Sequence, residues 1–420
     1  MISQMTSPPA YSLAERDRRW TLANDMMERL ELDALLVYGE HEDAGPAPFN
    51  FDTWFTNDRA GTTVLMCRGE LPVSFVPMPL YLLDRLETER RGGHLWIPVS
   101  NILVGRDAKT LAEFLQKNRP EISRIGVIGL APYMPWHPEG VIPYGFVKTL
   151  NELFPEITLV PVGEVFEEIC FRLSAEQIKV IRHSATIGDA MVDAMVNVCR
   201  PGTFESELYA AGTHAALLHG TTVPGMHLWS GAEFAASGPP SWTYRPSAVR
   251  ELKSGDVVMA EVFSHYGMLH TQHQVTIAIG EVHEDIERAA AIARECYLAG
   301  LRVIRPGVKF RDVVEAMLAP AEASGGWVRG PQIHSLNPFT AISGVPPDCP
   351  RVDGLEQYPA LASIPVLRPD MEICSGMSFA FEPSCGFGRN VVTLGGTVVV
   401  SETGVLELNP NTSQLLRVQG

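Results

Sequence analysis

The chain has 420 residues and a formal net charge of −16, from 33 Lys plus Arg against 49 Asp plus Glu. That acidic surplus excludes a nucleic-acid phosphate backbone and an anionic membrane surface as the main partner. Hydrophobic residues make up 45% and charged residues 20%, which excludes a disordered chain and predicts two or three packed domains or one large one.

No apolar run reaches the ~20 residues that span a bilayer. The opening Met-Ile-Ser-Gln-Met-Thr-Ser-Pro-Pro lacks the charged and apolar regions of a secretory signal. The seven cysteines, at 67, 170, 199, 296, 349, 374 and 385, include no Cys-x-x-Cys pair. Reduced thiols in a cytoplasmic protein are expected, and neither a disulfide framework nor a zinc knuckle.

In chain order, 12–32 is an amphipathic helix, with Ser12 as its cap and Glu15 at capping-box spacing. A buried strand follows at 34–38. Strands recur at 62–66, 72–76, 124–129 and 157–161, with helices near 80–90, 108–117 and 144–154. This alternation predicts an α/β layer domain over roughly the first 165 residues.

A long helix spans 174–200, capped by Ser174 and ended by Pro201-Gly202; a second spans 284–304 and ends in Pro306-Gly307. Each is followed by another helix, near 205–218 and 310–323. Two copies of one pattern predict internal pseudo-twofold symmetry. Strands follow in each half: 256–263 and 269–278 across a turn at 264–268, then 378–382 and 391–400. The stretches 228–250 and 336–370 are read as long loops.

The hinge Phe171-Arg172-Leu173-Ser174-Ala175-Glu176, the twin helix-Pro-Gly endings, the hairpin after Gly255-Asp256 and Phe381-Glu382-Pro383 together resemble the pita-bread superfamily of creatinase, prolidase and methionine aminopeptidase. The resemblance implies an α/β (α+β) chain: a creatinase-type N-terminal domain over 1–168 and a pita-bread domain over 169–420. It also implies a homodimer in which one N-terminal domain caps the partner's site through 51–59, with Arg59 or Trp54 reaching the substrate.

Peptidases of that superfamily hold two divalent metals with Asp, Asp, His, Glu and Glu. The corresponding positions here are Glu261, Gln272, His334, Glu382 and Gly395. Two carboxylates do not balance two divalent ions in a buried site, so no metal cofactor is expected. If one iron or zinc is bound, Glu261, His270, His334 and Glu382 are its ligands. The creatinase proton-shuttle His is missing, since Gly238-Pro239-Pro240 stands there; His227 lies about a dozen residues upstream.

Glu261 and Glu382 close together would leave one carboxyl protonated, and with His334 they form a general acid/base set that could also grip a cationic nitrogen. His270, Gln272 and Gln274 share one strand face. With His227, Trp229, Trp242, Tyr244 and Arg59 they are the candidate substrate contacts. The expectation is a metal-independent hydrolase of a C–N bond in a small nitrogenous molecule, not a peptidase. Lyase chemistry, a single-metal enzyme and an inactive binding protein are the alternatives.

Overall fold

The computed structural model describes residues 8–39, 51–130, 139–223, 225–234, 236–345, 354, 357–358 and 364–420. It divides into one unit at Ala10–Cys170 and another that includes Phe171–Gly420. No described helix is long and apolar enough to cross a membrane. Cys349 lies outside the described residues; the other six cysteines are free thiols.

In the first unit, α1 (Leu13–Arg29), β1 (Ala34–Tyr38), α2 (Phe51–Thr56), β2 (Thr63–Cys67), β3 (Val73–Val76), α3 (Leu80–Arg90), β4 (Ile102–Val104), α4 (Ala108–Asn118), β5 (Arg124–Ile128), α5 (Tyr144–Leu153), β6 (Thr158–Pro161) and α6 (Gly163–Cys170) follow one another. The six strands form one sheet in the order β4-β3-β2-β1-β5-β6. The two-residue period of β1 divides its side chains between two cores. Leu35 and Val37 pack with Trp20, Phe55 and Phe166. Ala34 and Leu36 pack with Leu111, Leu115 and Leu150. Segments α2, β4 and α6 are additions to the elements read from the sequence.

The second unit begins with α7 (Ala175–Val198), α8 (Glu205–Leu218), β7 (Met226–Gly231), β8 (Val257–Tyr266) and β9 (Leu269–Ile279). Ser174 and Gln177 close a capping box on α7, which satisfies two backbone donors that the helix would otherwise leave bare. Along β8 and β9 alternate residues part company. Val258, Ala260, Val262, Val275 and Ile277 pack on Ile187, Met191 and Met195 of α7. Glu261, Phe263, His265, His270, Gln272 and Gln274 therefore share the opposite face.

The second half repeats the plan with α9 (Glu284–Val303), α10 (Phe310–Ser324), β10 (Ile333–Leu336), β11 (Ser378–Phe381), β12 (Ser384–Phe387), β13 (Asn390–Thr393), β14 (Gly396–Val400), β15 (Val405–Glu407) and β16 (Leu416–Val418). Ile333, Phe379 and Phe381 pack on Tyr297, Phe310 and Met317 of its helix pair, which turns His334 to the other face. A glycine lets helix and sheet close up in each half. A Cβ at Gly188 would come 2.1 Å from the His273 ring, and one at Gly300 would come 2.7 Å from Phe381.

Three sequence expectations are corrected. The β8–β9 turn is only Gly267-Met268, both at positive φ (53° and 62°), so the strands run on and His265 lies on β8. The loop expected over 228–250 begins as strand, because β7 pairs with β8. The strand expected over 391–400 breaks at Leu394-Gly395, where Gly395 has φ of 133°.

Candidate active site

Register assembles the first part of the site. His227 on β7 lies opposite Glu261 on β8, and Glu261 lies opposite Gln274 on β9. His227 Nδ1 is 3.0 Å from Glu261 Oε2. Arg329 donates from Nη2 to Glu261 Oε1 at 2.5 Å and from Nη1 to the Ala236 carbonyl at 3.4 Å. Burial pushes the Glu261 carboxyl up, but the Arg329 guanidinium and His227 outweigh it and hold the carboxyl well below the usual range.

The second part joins the two halves. Glu382 follows β11, and its backbone N–H donates to the Gln332 carbonyl. Its Oε2 meets the amides of Gln272 at 2.9 Å and Gln274 at 2.7 Å. Burial, then the negative charge of Glu261, push the Glu382 carboxyl well above its ordinary value. His334 lies 3.6 Å from Glu382 Oε1. Burial lowers His334 to about 4, which leaves it neutral near pH 7.

Proton bookkeeping makes these states consistent. His334 Nδ1 donates to the Ser335 carbonyl at 2.9 Å, so its Nε2 is an acceptor and needs a donor. The Gln272 amide lies 3.0 Å away. Amide oxygen and nitrogen are assigned by their partners, and a neutral His334 requires the Gln272 Nε2 on its side. The Gln272 oxygen then faces Glu382 and accepts the carboxyl proton. Gln274 still donates to Glu382, while its own oxygen faces the Thr393 hydroxyl at 3.5 Å. The cluster thus sets the Glu261 carboxylate against the Arg329 guanidinium and the His227 ring, and sets Glu382, pushed toward its acid form, beside the neutral His334.

The structure brings together Glu261, His227, Gln272, Gln274, His334 and Glu382. Within the same unit, His270, Trp229, Trp242 and Tyr244 make contacts with other residues. His270 stands beside His265, with ring centroids 5.4 Å apart. Trp229 donates to the Gly238 carbonyl at 3.0 Å. Trp242 meets Glu205 and packs edge-on against Tyr209, and Tyr244 is exposed beneath Arg245. In the first unit, Arg59 lies over the Tyr81 ring at 4.1 Å, while Trp54 is a core residue against Phe166. The expected grip on a substrate cation is corrected too: Arg329 already sits against Glu261.

Arg329 is the residue that sequence reasoning missed. A signal existed, since a carboxylate on a buried strand needs a counter-charge and Arg329 stands five residues before His334.

The model of metallopeptidase family M24 matches residues 179–402. The chain is 27% identical to methionine aminopeptidase 1A of Arabidopsis thaliana over 158 residues, 36% of this chain and 38% of that protein. It is 24% identical to the creatinase of Bacillus sp. over 172 residues, 40% of this chain and 41% of that one. The chain thus spans about two fifths of the length of those two relatives. The Xaa-Pro dipeptidase of Bacillus anthracis shares its fold with a TM-score of 0.70 at 16% identity, over 97% of this chain and 100% of that one. The dipeptidase PepE of Mycobacterium ulcerans does so with a TM-score of 0.69 at 18%, over 98% and 100%.

The family match overturns two expectations, that the enzyme is metal-independent and that no metal cofactor is used. The family is one of metallopeptidases. Neutral imidazoles also hold divalent ions, so two carboxylates at the inherited positions do not by themselves exclude a metal. Those inherited positions do not themselves fit a metal pair. Glu261 is paired with Arg329 and His227, Glu382 is pushed toward its acid form, and position 272 is an amide. Position 395 has no room for a ligand, because a Cβ there would lie 2.0 Å from the Phe381 carbonyl oxygen. Among the described residues no three His, Cys, Asp or Glu side chains come together as a metal cluster. The four-residue set Glu261, His270, His334 and Glu382 is therefore not assembled.

Proposed function

The chain belongs to metallopeptidase family M24, and we propose that it is a hydrolase of an amide C–N bond in a small, dipeptide-sized molecule. What supports this is one buried cluster in which Arg329 and His227 hold Glu261 on its ionised side, while burial and the Glu261 charge push Glu382 toward its acid form. Acid and base catalysis of amide cleavage needs one group of each kind.

In this reading Glu261 orients His227 through Nδ1. His227 Nε2 takes a proton from the attacking water. Glu382 gives its proton to the departing amine nitrogen, and Gln272 and Gln274 hold its carboxyl in place. Arg329 balances Glu261, so the cluster suits an uncharged amide more than a cationic group.

The reading extends to a cytoplasmic homodimer, supported by the dispersed free thiols and the two-domain resemblance. Light scattering tests the dimer.

The test of the hydrolase reading is a panel of Xaa-Pro and other dipeptides and N-acyl amino acids, followed in water enriched in oxygen-18. Label in the product carboxyl is expected from hydrolysis and not from elimination. Glu382→Gln is expected to cost roughly 100-fold or more in kcat with the fold intact. Activity near that of the unaltered chain in Glu382→Gln overturns the assignment.

A further inference from the structure

Besides the cluster that holds Glu382, the same sheet face carries a second group of ionisable side chains. His265 and His270 are cross-strand partners, one pair back from the Tyr266–Leu269 pair that closes on the Gly267-Met268 turn. Their rings are 5.4 Å apart between centroids and tilted by 42°. Among the described residues, Nδ1 of each ring is buried and has no hydrogen-bond partner. His270 itself is only 4% exposed. His183 Nε2 and His273 Nδ1 are likewise unpartnered; what sets His265 and His270 apart is that two such rings face each other across adjacent strands, so that one ligand could satisfy both.

Both backbones are pinned. Asn337 accepts from the His270 N–H at 2.9 Å and donates to its carbonyl at 3.0 Å, standing in for a further strand. The Thr221 hydroxyl donates to the His265 carbonyl at 2.7 Å. Rings on fixed backbone positions lose little freedom on coordination.

We propose that His265 and His270 form a two-imidazole site for one borderline transition-metal ion such as zinc or cobalt(II), completed by water or by an oxygen of the substrate.

The spacing suits a shared ion. An ion ~2.0–2.1 Å from a ring nitrogen lies roughly 3.2 Å from that ring's centroid. Two rings at ligand angles of about 90–120° then have centroids roughly 4.5–5.5 Å apart, and the observed pair falls within that span. Imidazole nitrogen selects zinc, copper, nickel and cobalt over magnesium and calcium. Burial lowers both residues, His270 to about 3; both stay neutral near pH 7, as coordination requires. Neutral ligands leave the ion its full charge, and the part-exposed His265 leaves coordination positions open for an oxygen anion or a carbonyl. The site goes beyond the hydrolase reading, and its test reads no turnover, so either can fail without the other.

The experiment is cobalt(II) titration of the metal-stripped full-length chain, followed by d–d absorption and by metal content after gel filtration, with zinc as competitor. Saturation at about one cobalt per chain is expected. His265→Asn and His270→Asn should each weaken binding at least tenfold with unchanged far-ultraviolet circular dichroism, whereas Glu382→Gln should retain it. His265→Asn, at the part-exposed position, carries the test should His270→Asn fail to fold. Three results overturn the proposal: no cobalt bound by the unaltered chain, full binding in His265→Asn, or loss of binding in Glu382→Gln with His265→Asn unaffected.

Discussion

Arg329 Nη2 lies 2.5 Å from Glu261 Oε1, with the side chains only 13% and 11% exposed. The carboxylate at the position of an inherited metal ligand is therefore already paired within its own chain. With His227 this contact keeps Glu261 ionised; the Glu261 charge adds to burial in raising Glu382, against a smaller opposing effect of the Arg329 charge.

Removing one member of a buried ion pair strands the other. Arg329→Met should destabilise the chain by roughly 3 kcal/mol or more. The paired change Arg329→Met with Glu261→Gln should recover most of that loss. Urea unfolding of the two single variants and the double variant measures the coupling. Simple additivity would mean that the two side chains do not depend on each other.

Gly395→Glu would restore the residue type of the missing fifth ligand but not its geometry. Gly395 has φ of 133°, and a Cβ there meets the Phe381 carbonyl oxygen at 2.0 Å. The substitution should cost on the order of 3 kcal/mol, read as a lower Tm, and should add no bound metal. A variant as stable as the unaltered chain would contradict the geometry at the β14 entrance.

The first unit carries its own pH dependence. Asp52 on α2 accepts from the Thr62 N–H at 2.9 Å and the Thr62 hydroxyl at 3.0 Å through one oxygen. Burial raises its carboxyl to about 6, and Thr62 and Arg106 only partly offset this. An unfolded aspartate titrates near ~3.9, so between that value and about 6 the folded state binds more protons. Stability from this group therefore falls as pH rises through that window, and the cost persists above it. Asp52→Asn, which keeps an acceptor for Thr62, should gain on the unaltered chain by roughly 1–3 kcal/mol on going from pH 4 to pH 7.5. Chemical denaturation at the two pH values checks this; an equal difference at both would place the titration elsewhere.

Much of the fold is legible locally. The caps at Ser12 and Ser174, the Pro-Gly endings after α7 and α9, and the alternation along β1 and β8 are short-range signals. Each acts through the backbone geometry of its own segment, so it survives without knowledge of the rest. The strand pair around Gly267-Met268 was harder. Met268 at φ of 62° is a non-glycine residue in the left-handed region, and without it the turn reads as five residues instead of two. That difference moves His265 from a turn onto a strand and opposite His270.

The site was only partly legible. Glu261, His334 and Glu382 stand out because the family pattern marks their positions, and the loss of carboxylates at 272 and 395 can be counted on the same pattern. Their ionisation cannot be counted. It depends on Arg329 arriving from 68 residues away and on two glutamine amides reaching across to Glu382 from 108 and 110 residues away. Composition and spacing thus establish which residues are available. Only tertiary contact sets which carboxyl is charged and which keeps its proton, because Coulomb energy and desolvation depend on distance and burial, and neither is a property of sequence separation.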